Sequence, residues 1–209
     1  MLTQASARRL LEPFRVELTA PQIEQMLTYL DLLLHWNTRI NLTAIRSAEE
    51  CITRHFGESL YLSRFVALHG RLLDIGSGAG FPGLALKIVW PQLAVTLLEP
   101  TTKKRAFLKE VARVCRMESV EVRPERLEQF AREGSHPLFE TATARAVGSF
   151  DQLLPQASQC LKQKGRLCLW VSHKQSGSLI GASSRIKWLP PIPLPLGRER
   201  EIWLGTKID

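Results

Sequence analysis

The sequence lacks the features of membrane, secreted and metal-binding proteins. No apolar run reaches the roughly 20 residues that span a bilayer, and residues 1–15 contain no apolar signal core. The four cysteines form no CxxC pair, and the five histidines show no metal-ligand spacing. We therefore expect a cytoplasmic protein with reduced thiols, no bound metal and no membrane association.

Acidic residues are in the minority, and the resulting net charge of +8 is unevenly distributed. Residues 1–70 hold seven basic and seven acidic side chains, so the whole excess lies in residues 71–209. The last fifty residues alone hold nine basic and three acidic side chains. Such a local excess indicates either a surface for a polyanion such as nucleic acid or an ordinary solvated face.

The first 70 residues are predicted to be helical and to contain no strand. Apolar residues recur at three- and four-residue steps over Pro21–Asn37, which predicts one long helix. Ser47-Ala-Glu-Glu50 has the spacing of a capping box and predicts the start of a second helix. A third helix is predicted over Glu58–Leu68. Residues 1–70 are therefore predicted to form a helical extension packed on the remainder of the chain.

The pattern changes at Arg71, where short apolar segments begin to alternate with helical ones. This alternation predicts an α/β fold with a doubly wound, mostly parallel sheet over residues 71–209, forming one structural unit. Pro190–Pro195 is too rich in proline for a helix or an interior strand. The predicted strands are Arg71–Ile75, Ala94–Leu98, Val120–Val122, Phe139–Ala144, Arg166–Val171 and Glu201–Thr206. The predicted helices begin near Pro82, Thr102, Leu127 and Phe150.

A glycine-rich turn follows the first predicted strand. Gly76, Gly78 and Gly80 have the spacing G-x-G-x-G, between a strand and a helix. In that context a glycine loop typically binds a nucleotide-like cofactor, since backbone without Cβ atoms lets a ligand come close. Open α/β sheets also bind ligands at the carboxyl ends of their strands. The turn is therefore the candidate cofactor site.

Two acids near this turn favour S-adenosylmethionine over a dinucleotide. Dinucleotide loops usually read G-x-G-x-x-G and place a pyrophosphate at a helix N-terminus, but here the third glycine comes one residue early. Asp74 directly precedes the loop, where a carboxylate suits the ammonium group of S-adenosylmethionine. Glu99 ends the next strand, where an acid accepts hydrogen bonds from ribose hydroxyls in both cofactor classes.

The loop and five further segments carry a family resemblance over nearly the whole chain. Leu72-Leu-Asp-Ile-Gly-Ser-Gly-Ala-Gly-Phe-Pro-Gly83 resembles the signature of the glucose-inhibited division protein B family, the small-subunit rRNA guanine-N7 methyltransferases. Arg54-His-Phe-Gly-Glu-Ser59 resembles a second family motif, which usually has Asp where this chain has Glu58. The other similar segments are His35–Thr43, Thr96–Leu108, Arg126–Glu128 and Ala144-Arg-Ala146.

The resemblance implies a fold, an activity and a partner. The fold is the seven-stranded Rossmann-like sheet of class I S-adenosylmethionine methyltransferases, with an N-terminal helical cap. The activity is transfer of a methyl group from S-adenosylmethionine to guanine N7 in 16S ribosomal RNA, and the partner is this RNA or the small ribosomal subunit. N7 carries a free lone pair, so the reaction needs orientation more than a general base. We expect a monomer.

The resemblance also implies roles for single residues. Gly76, Gly78 and Phe81 are implied to line the cofactor, Glu99 to bind its ribose, and Leu127 and Glu128 to flank its adenine. From the residues alone, Leu127 is better interpreted as a core residue and Glu128 as a solvated one. Arg145 is implied to orient the base or the methionine end of the cofactor. Independently, an arginine that leaves a buried strand needs an anionic partner or open solvent.

The candidate RNA contacts are basic residues outside the loop. Lys103, Lys104 and Arg105 fall in the first turn of a predicted helix, where the macrodipole disfavours cations, so the cluster indicates an anionic ligand. Arg123 is predicted to extend this surface. Lys174 is a candidate for a lysine that the family often places two residues earlier. The alternative is an exposed face whose charge is compensated by Glu110 and other acids.

Two other functions fit parts of the pattern. An NAD-dependent oxidoreductase uses a similar sheet, but the early third glycine and the missing Tyr-Lys or His-Asp pair disfavour it. A non-catalytic RNA-binding module would explain the charge, but it would not require an intact glycine loop. The sequence therefore favours the methyltransferase.

Overall fold

The computed structural model describes residues 2–145, 148–181 and 185–208 of the chain. The first helix, α1 (Gln4–Leu11), was not predicted; it begins at Thr3, whose hydroxyl accepts the Ser6 N–H. The long helix α2 (Ala20–Asn37) confirms the prediction from the apolar stripe. Its first turn contains Pro21. Proline suits this position because it has no backbone N–H, and the first N–H groups of a helix have no intrahelical acceptor.

The two helices predicted after Ser47 form one continuous helical segment, so the predicted separate start at Glu58 is wrong. The Ser47 hydroxyl accepts the Glu50 N–H, and α3 (Ala48–Glu50) passes into a π-helical stretch (Cys51–Gly57). Then follow α4 (Glu58–Leu60) and a 3₁₀ turn (Tyr61–Arg64), so the segment ends before Leu68. Because the helical segment continues through Glu58, Phe56, Glu58 and Leu60 all lie buried within it. We call residues 48–64 the mixed helix.

The sheet contains eight strands within the described residues, two more than the sequence pattern predicts and one more than the family resemblance implies. Its order is β3-β2-β1-β4-β5-β8-β6, with β7 paired to β8. The first five of these are parallel, whereas β8 is antiparallel to β5, β6 and β7. Pro193 lies in β7, which pairs with β8 alone and is therefore not an interior strand. The strands are β1 (Arg71–Ile75), β2 (Ala94–Leu98), β3 (Val120–Arg123), β4 (Phe139–Arg145), β5 (Leu161–Ser172), β6 (Ile186–Trp188), β7 (Ile192–Leu194) and β8 (Gly197–Lys207).

Helices cover both faces of the sheet, which confirms the doubly wound α/β fold. One face packs α1, α2, the mixed helix, α5 (Gly83–Val89) and α6 (Thr102–Val114) against side chains such as Leu72 and Val95. The opposite face packs α7 (Leu127–Glu133), α8 (Phe150–Cys160) and α9 (His173–Gly181) against side chains such as Leu73. Helix α9 was not predicted, because its polar, glycine-containing sequence has no apolar stripe.

The chain leaves the adjacent strands β1 and β4 toward opposite faces of the sheet, and this divergence marks the place where a ligand is expected to bind. β1 is flanked by β2 and β4, and the helix after β1 lies on one face while the helix after β4 lies on the other. Ligands of open α/β sheets bind at such a switch point, beyond the carboxyl ends of the strands. Among the described helices, none is long and apolar enough to cross a membrane.

Candidate active site

The glycine loop leaves the carboxyl end of β1 in a conformation that requires glycine. The φ angles of Gly76, Gly78 and Gly80 are +68°, +56° and +88°, in the left-handed region that L side chains rarely adopt. The Ser77 N–H donates to the Leu98 carbonyl at 3.0 Å, which ties the loop to the end of β2. The loop is therefore fixed beside two strand ends.

The loop has one open side and one packed side. A Cβ atom placed on Gly76 would meet no atom within 4 Å, and one on Gly78 would meet only the Gly76 carbonyl oxygen at 3.8 Å. By contrast, a Cβ on Gly80 would collide with the Tyr29 hydroxyl, and one on Gly83 would lie 2.8 Å from Asp74. Gly76 and Gly78 thus expose backbone to a ligand, while Gly80 and Gly83 allow the loop to pack on the protein.

Glu99 links the end of β2 to the open side of the loop. Its Oε2 accepts the Gly78 N–H at 2.9 Å, and its Oε1 accepts the Thr101 N–H at 2.8 Å. Arg105 lies behind it and donates to the carbonyl oxygens of Glu99 and Pro100 at 3.1 and 2.5 Å. Arg105 therefore stabilises the end of β2 through these hydrogen bonds, and this structural role distinguishes it from Lys103 and Lys104.

Asp74 lies beneath the loop, on its packed side. Its side chain is fully buried, Oδ1 accepts the Thr143 hydroxyl at 2.7 Å, and Oδ2 has no hydrogen-bond partner. Burial raises the pKa of this carboxyl to about 6, although the hydrogen bond from Thr143 acts in the opposite direction. The structure shows Asp74 supporting the loop against Gly83, and its direct contact with a cofactor stays a prediction.

Phe81 lies in a three-ring stack that joins the loop to the N-terminal helices. Its ring lies parallel to Tyr29 of α2, with 5.3 Å between centroids, and close to His55 of the mixed helix at 4.8 Å. The Tyr29 hydroxyl also donates to the Ala79 carbonyl, and the His55 Nε2 contacts the Thr43 hydroxyl at 2.8 Å. Burial, with the nearby guanidinium of Arg145, lowers the pKa of His55 to about 3, so its ring is neutral at pH 7.

Arg145 ends β4 and finds its anionic partner in Glu58, a residue that the sequence analysis did not assign. Its Nη2 donates to a Glu58 oxygen at 3.0 Å and to the Arg54 carbonyl at 2.7 Å, while Nη1 is buried without a partner. Arg200 of β8 approaches the other Glu58 oxygen at 2.6 Å, and Trp170 donates to the Glu58 carbonyl. We call Glu58, Arg145 and Arg200 the buried ion cluster.

The buried ion cluster contains two guanidinium groups and one carboxylate, and all three side chains are largely shielded from solvent. Glu58 is 1% exposed and Arg145 and Arg200 are 16% and 27% exposed. Burial raises the pKa of Glu58 and lowers that of Arg145, while each partner's charge acts in the opposite direction. Ala146, which follows Arg145 in a segment that carried the resemblance, lies outside the described residues.

Leu127 and Glu128 begin α7 and differ in exposure. Leu127 is buried in the core of the second face, whereas Glu128 is exposed and pairs with Arg132 at 2.6 Å. Both therefore agree with the simpler interpretations from the residues alone, and their contacts with adenine stay predictions. Their location fits a cofactor, since α7 follows β3 at the carboxyl edge that also carries Glu99.

The basic residues proposed for RNA divide into paired and unpaired ones. Arg123 donates to Glu121 and Glu125 at 3.3 and 2.7 Å, and a third carboxylate, Glu133, lies 3.7 Å away. These acids compensate the charge of Arg123 within the chain, and its contact with RNA stays a prediction. Lys103 and Lys104 form no ion pair within the described chain, and neither does Lys174, which is exposed in the first turn of α9.

Comparison with known proteins gives a consistent result. A family model described as "rRNA small subunit methyltransferase G" matches residues 22–179. A protein of that name, "Ribosomal RNA small subunit methyltransferase G" from Chloroflexus aggregans, is 38% identical over 92% of this chain and 85% of its own length. The protein of the same name from Syntrophotalea carbinolica is also 38% identical, over 88% of this chain and 85% of that protein.

Solved structures resemble the fold at low sequence identity. A ribosomal protein L11 methylase from Lactobacillus delbrueckii subsp. bulgaricus superposes with a TM-score of 0.60 and 15% identity, covering 73% of this chain and 80% of that one. A SAM-dependent methyltransferase from Aquifex aeolicus has a TM-score of 0.58 and 16% identity, covering 76% and 93%. These similarities support the class I methyltransferase fold.

Proposed function

Because the chain belongs to the rRNA small subunit methyltransferase G family, we propose that its glycine-loop site methylates N7 of a guanine in 16S ribosomal RNA. The protein is an S-adenosylmethionine-dependent methyltransferase. The family assignment leaves neither the NAD-dependent oxidoreductase nor the non-catalytic RNA-binding module as an interpretation of this chain.

One observation carries the location of the site: the open backbone at Gly76 and Gly78 faces the carboxyl ends of the central strands, beside Glu99. The space that a Cβ would occupy on these glycines is free, so a nucleoside can lie against the loop. Glu99 supplies carboxylate oxygens at the edge of that space, suited to ribose hydroxyls. The residues present therefore fit S-adenosylmethionine, which has no phosphate to require a helix N-terminus.

The remaining site residues take their proposed roles from their positions. Leu127 and Glu128 flank the adenine from the start of α7, and Phe81 lines the cofactor while its ring supports the loop from the packed side. Arg145 lies at the end of β4, where its unpartnered Nη1 is available for the methionine carboxylate or the target base. Asp74 supports the loop from beneath and places a negative charge near the ammonium group.

Methyl transfer requires the protein mainly to orient guanine N7 relative to the methyl group of the cofactor. Bound S-adenosylmethionine supplies an already activated methyl group on a sulfonium. Guanine N7 has an in-plane lone pair and no proton, so no side chain has to act as a base. The rigid loop, held by Glu99 on one side and by the three-ring stack on the other, fixes the geometry of attack. Arg145 is placed to orient whichever anionic or acceptor group adjoins it.

We further propose a monomeric cytoplasmic enzyme that acts on 16S rRNA or the small ribosomal subunit. In this proposal residues 1–70 are an extension packed on the methyltransferase domain formed by residues 71–209. The extension contributes Tyr29, His55 and Glu58 to the loop and to the buried ion cluster, and this supports a role in catalysis as well as in folding.

The proposal is tested by mapping 7-methylguanine in ribosomal RNA from cells with and without this gene. We expect one guanine of 16S rRNA to lose its methyl group in the deletion strain and to regain it with the intact gene. A Gly78→Val copy should fail to restore it. An identical 7-methylguanine pattern in both strains would refute the proposed function.

A further inference from the structure

A groove of about 340 Å³ lies between the turn after α2 and the start of α6. One wall comes from the N-terminal extension and carries Arg39, Asn41 and Arg46; the other carries Thr101, Lys103 and Lys104. We call this the basic groove. It joins two segments, His35–Thr43 and Thr96–Leu108, that both belong to the resemblance but whose facing surfaces the proposed function leaves without a role.

The four cations of the basic groove have no partners of their own. No ion pair or side-chain hydrogen bond involves Arg39, Arg46, Lys103 or Lys104 in the described part of the chain, and no acid lines the groove. Some other surface cations have a compensating acid beside them, as Arg113 has Glu110, but no such acid lines the groove. Four like charges that face one another across a concave surface favour an anion with several charged groups.

We propose that the basic groove binds the phosphodiester backbone of a single-stranded RNA segment beside the guanine to be methylated. This inference rests on the proposed function, and it specifies where the RNA lies. The two arginines and two lysines supply positive charge for phosphates, while the exposed Asn41 amide and Thr101 hydroxyl offer hydrogen bonds to sugar or base. Sequence-specific RNA enzymes commonly take unpaired segments, whose bases can be turned outward.

Both walls of the groove are fixed relative to the glycine loop. On one wall, the Thr101 N–H donates to Glu99, which in turn accepts the Gly78 N–H. On the other, the Thr43 hydroxyl contacts His55 Nε2 at 2.8 Å, and the His55 ring stacks on Phe81 of the loop. An RNA strand in the groove therefore lies at a defined position next to the cofactor site.

The favoured ligand is RNA rather than an acidic protein segment. The groove residues are mostly polar and charged, which suits phosphates better than the apolar anchors that fix most peptides. An acidic polypeptide nevertheless shares the charge, so it serves as a comparison in the test.

The test uses two double variants of the full-length protein and one matched control. The groove variants are Arg39→Gln with Arg46→Gln, and Lys103→Gln with Lys104→Gln. The control, Arg9→Gln with Lys109→Gln, removes the same charge from exposed residues that lie outside the groove and have no ion pair in the described chain. Binding of a 16S rRNA transcript is measured over a series of salt concentrations, and S-adenosylmethionine binding is measured by calorimetry.

We expect each groove variant to bind the transcript at least tenfold more weakly, with cofactor affinity unchanged. The slope of log affinity against log salt should fall by about 1.4 for two lost phosphate contacts on a single strand. The control should lose less than threefold. Equal losses in control and groove variants, or unchanged RNA affinity in the groove variants, would overturn the inference. Tighter binding of poly-L-glutamate than of the transcript would assign the groove to a protein and also overturn it.

The same proteins separate this inference from the proposed function. Suppose that the groove variants lose RNA affinity, and that the wild type binds RNA and cofactor but methylates no guanine. This result would refute the proposed function, while the groove would still be an RNA-binding site. Methylation by the wild type with unchanged RNA affinity in the groove variants would refute the groove alone. Circular dichroism confirms that each variant is folded.

Discussion

The imidazole ring of His55 stacks on the ring of Phe81, with 4.8 Å between centroids and 17° between planes. This contact joins the mixed helix to the glycine loop, and Tyr29 covers the other side of Phe81. The N-terminal helices therefore form part of the support for the glycine loop, the proposed cofactor site. A loop whose Phe81 is held between two rings keeps its open face in one position, as orientation catalysis requires.

Replacing His55 by glutamine should change the response of stability to acid. The folded-state pKa of about 3 lies below the ordinary 6.5, so the stability contributed by the neutral ring is present above pH 6.5 and lost as pH falls toward 3. Between pH 6.5 and 4.5 the wild type should lose about 2 kcal/mol that His55→Gln does not lose. Urea unfolding of both proteins at the two pH values measures this difference; parallel changes would contradict it.

Replacing Asp74 by asparagine should produce the opposite trend. Because burial raises the pKa of Asp74 from 3.8 to about 6, its favourable contribution is present below pH 3.8 and lost as pH rises to 6. Relative to Asp74→Asn, the wild type should lose about 2 kcal/mol between pH 3.8 and pH 6 and should level off by about pH 7. Urea unfolding at pH 4, 5, 6 and 7 tests this. A constant difference across the series would show that the carboxyl has an ordinary pKa.

Alanine at Gly78 and at Gly80 should separate binding from folding. A Cβ on Gly78 meets open space, so Gly78→Ala should weaken S-adenosylmethionine binding at least tenfold while the melting temperature falls by only a few degrees. A Cβ on Gly80 collides with the Tyr29 hydroxyl, so Gly80→Ala should mainly destabilise the fold. Calorimetric titration and thermal unfolding distinguish the two. Unchanged cofactor affinity in Gly78→Ala would remove the open face of the loop from the site.

Local features of the sequence predicted the sheet and the loop well. The strands Arg71–Ile75 and Ala94–Leu98 were predicted with the bounds that the structure shows, since each is a short apolar run ended by a turn or an acid. The three glycines were identified because their spacing is local. The π-helical stretch Cys51–Gly57 was missed, since no sequence period distinguishes one extra residue per turn from a helix boundary.

Contacts between distant residues could not be predicted in the same way. Arg145 was expected to need an anion, but Glu58 lies 87 residues away and was interpreted as a helix start. A signal existed: Glu58 stands between Phe56 and Leu60 in a helical segment, where an acid is buried only if it is paired. Arg123 is a further example: its charge was visible in the sequence, but its three acidic partners become visible only in the folded chain.

Replacing Glu58 by glutamine should destabilise the protein and disturb Arg145. Without the carboxylate, Arg145 and Arg200 face each other with no anion, and removal of one partner from a buried ion pair typically costs about 3–5 kcal/mol. The melting temperature should fall by about 10 °C and cofactor affinity should decrease. Glu58→Asp is the matched control: it keeps the negative charge, and it should lose far less. Equal stability of both variants would show that charge at this position is unimportant.

The most direct measurement follows the methyl group from the cofactor to the methylated nucleotide. The purified protein is incubated with S-adenosylmethionine carrying a labelled methyl group and with either a 16S rRNA transcript or small ribosomal subunits, and the labelled nucleotide is then identified. The account predicts label on guanine N7 at one position, formed by the wild type and lost in Gly78→Val. Label on another atom or on no RNA, despite measurable binding of S-adenosylmethionine, would contradict it.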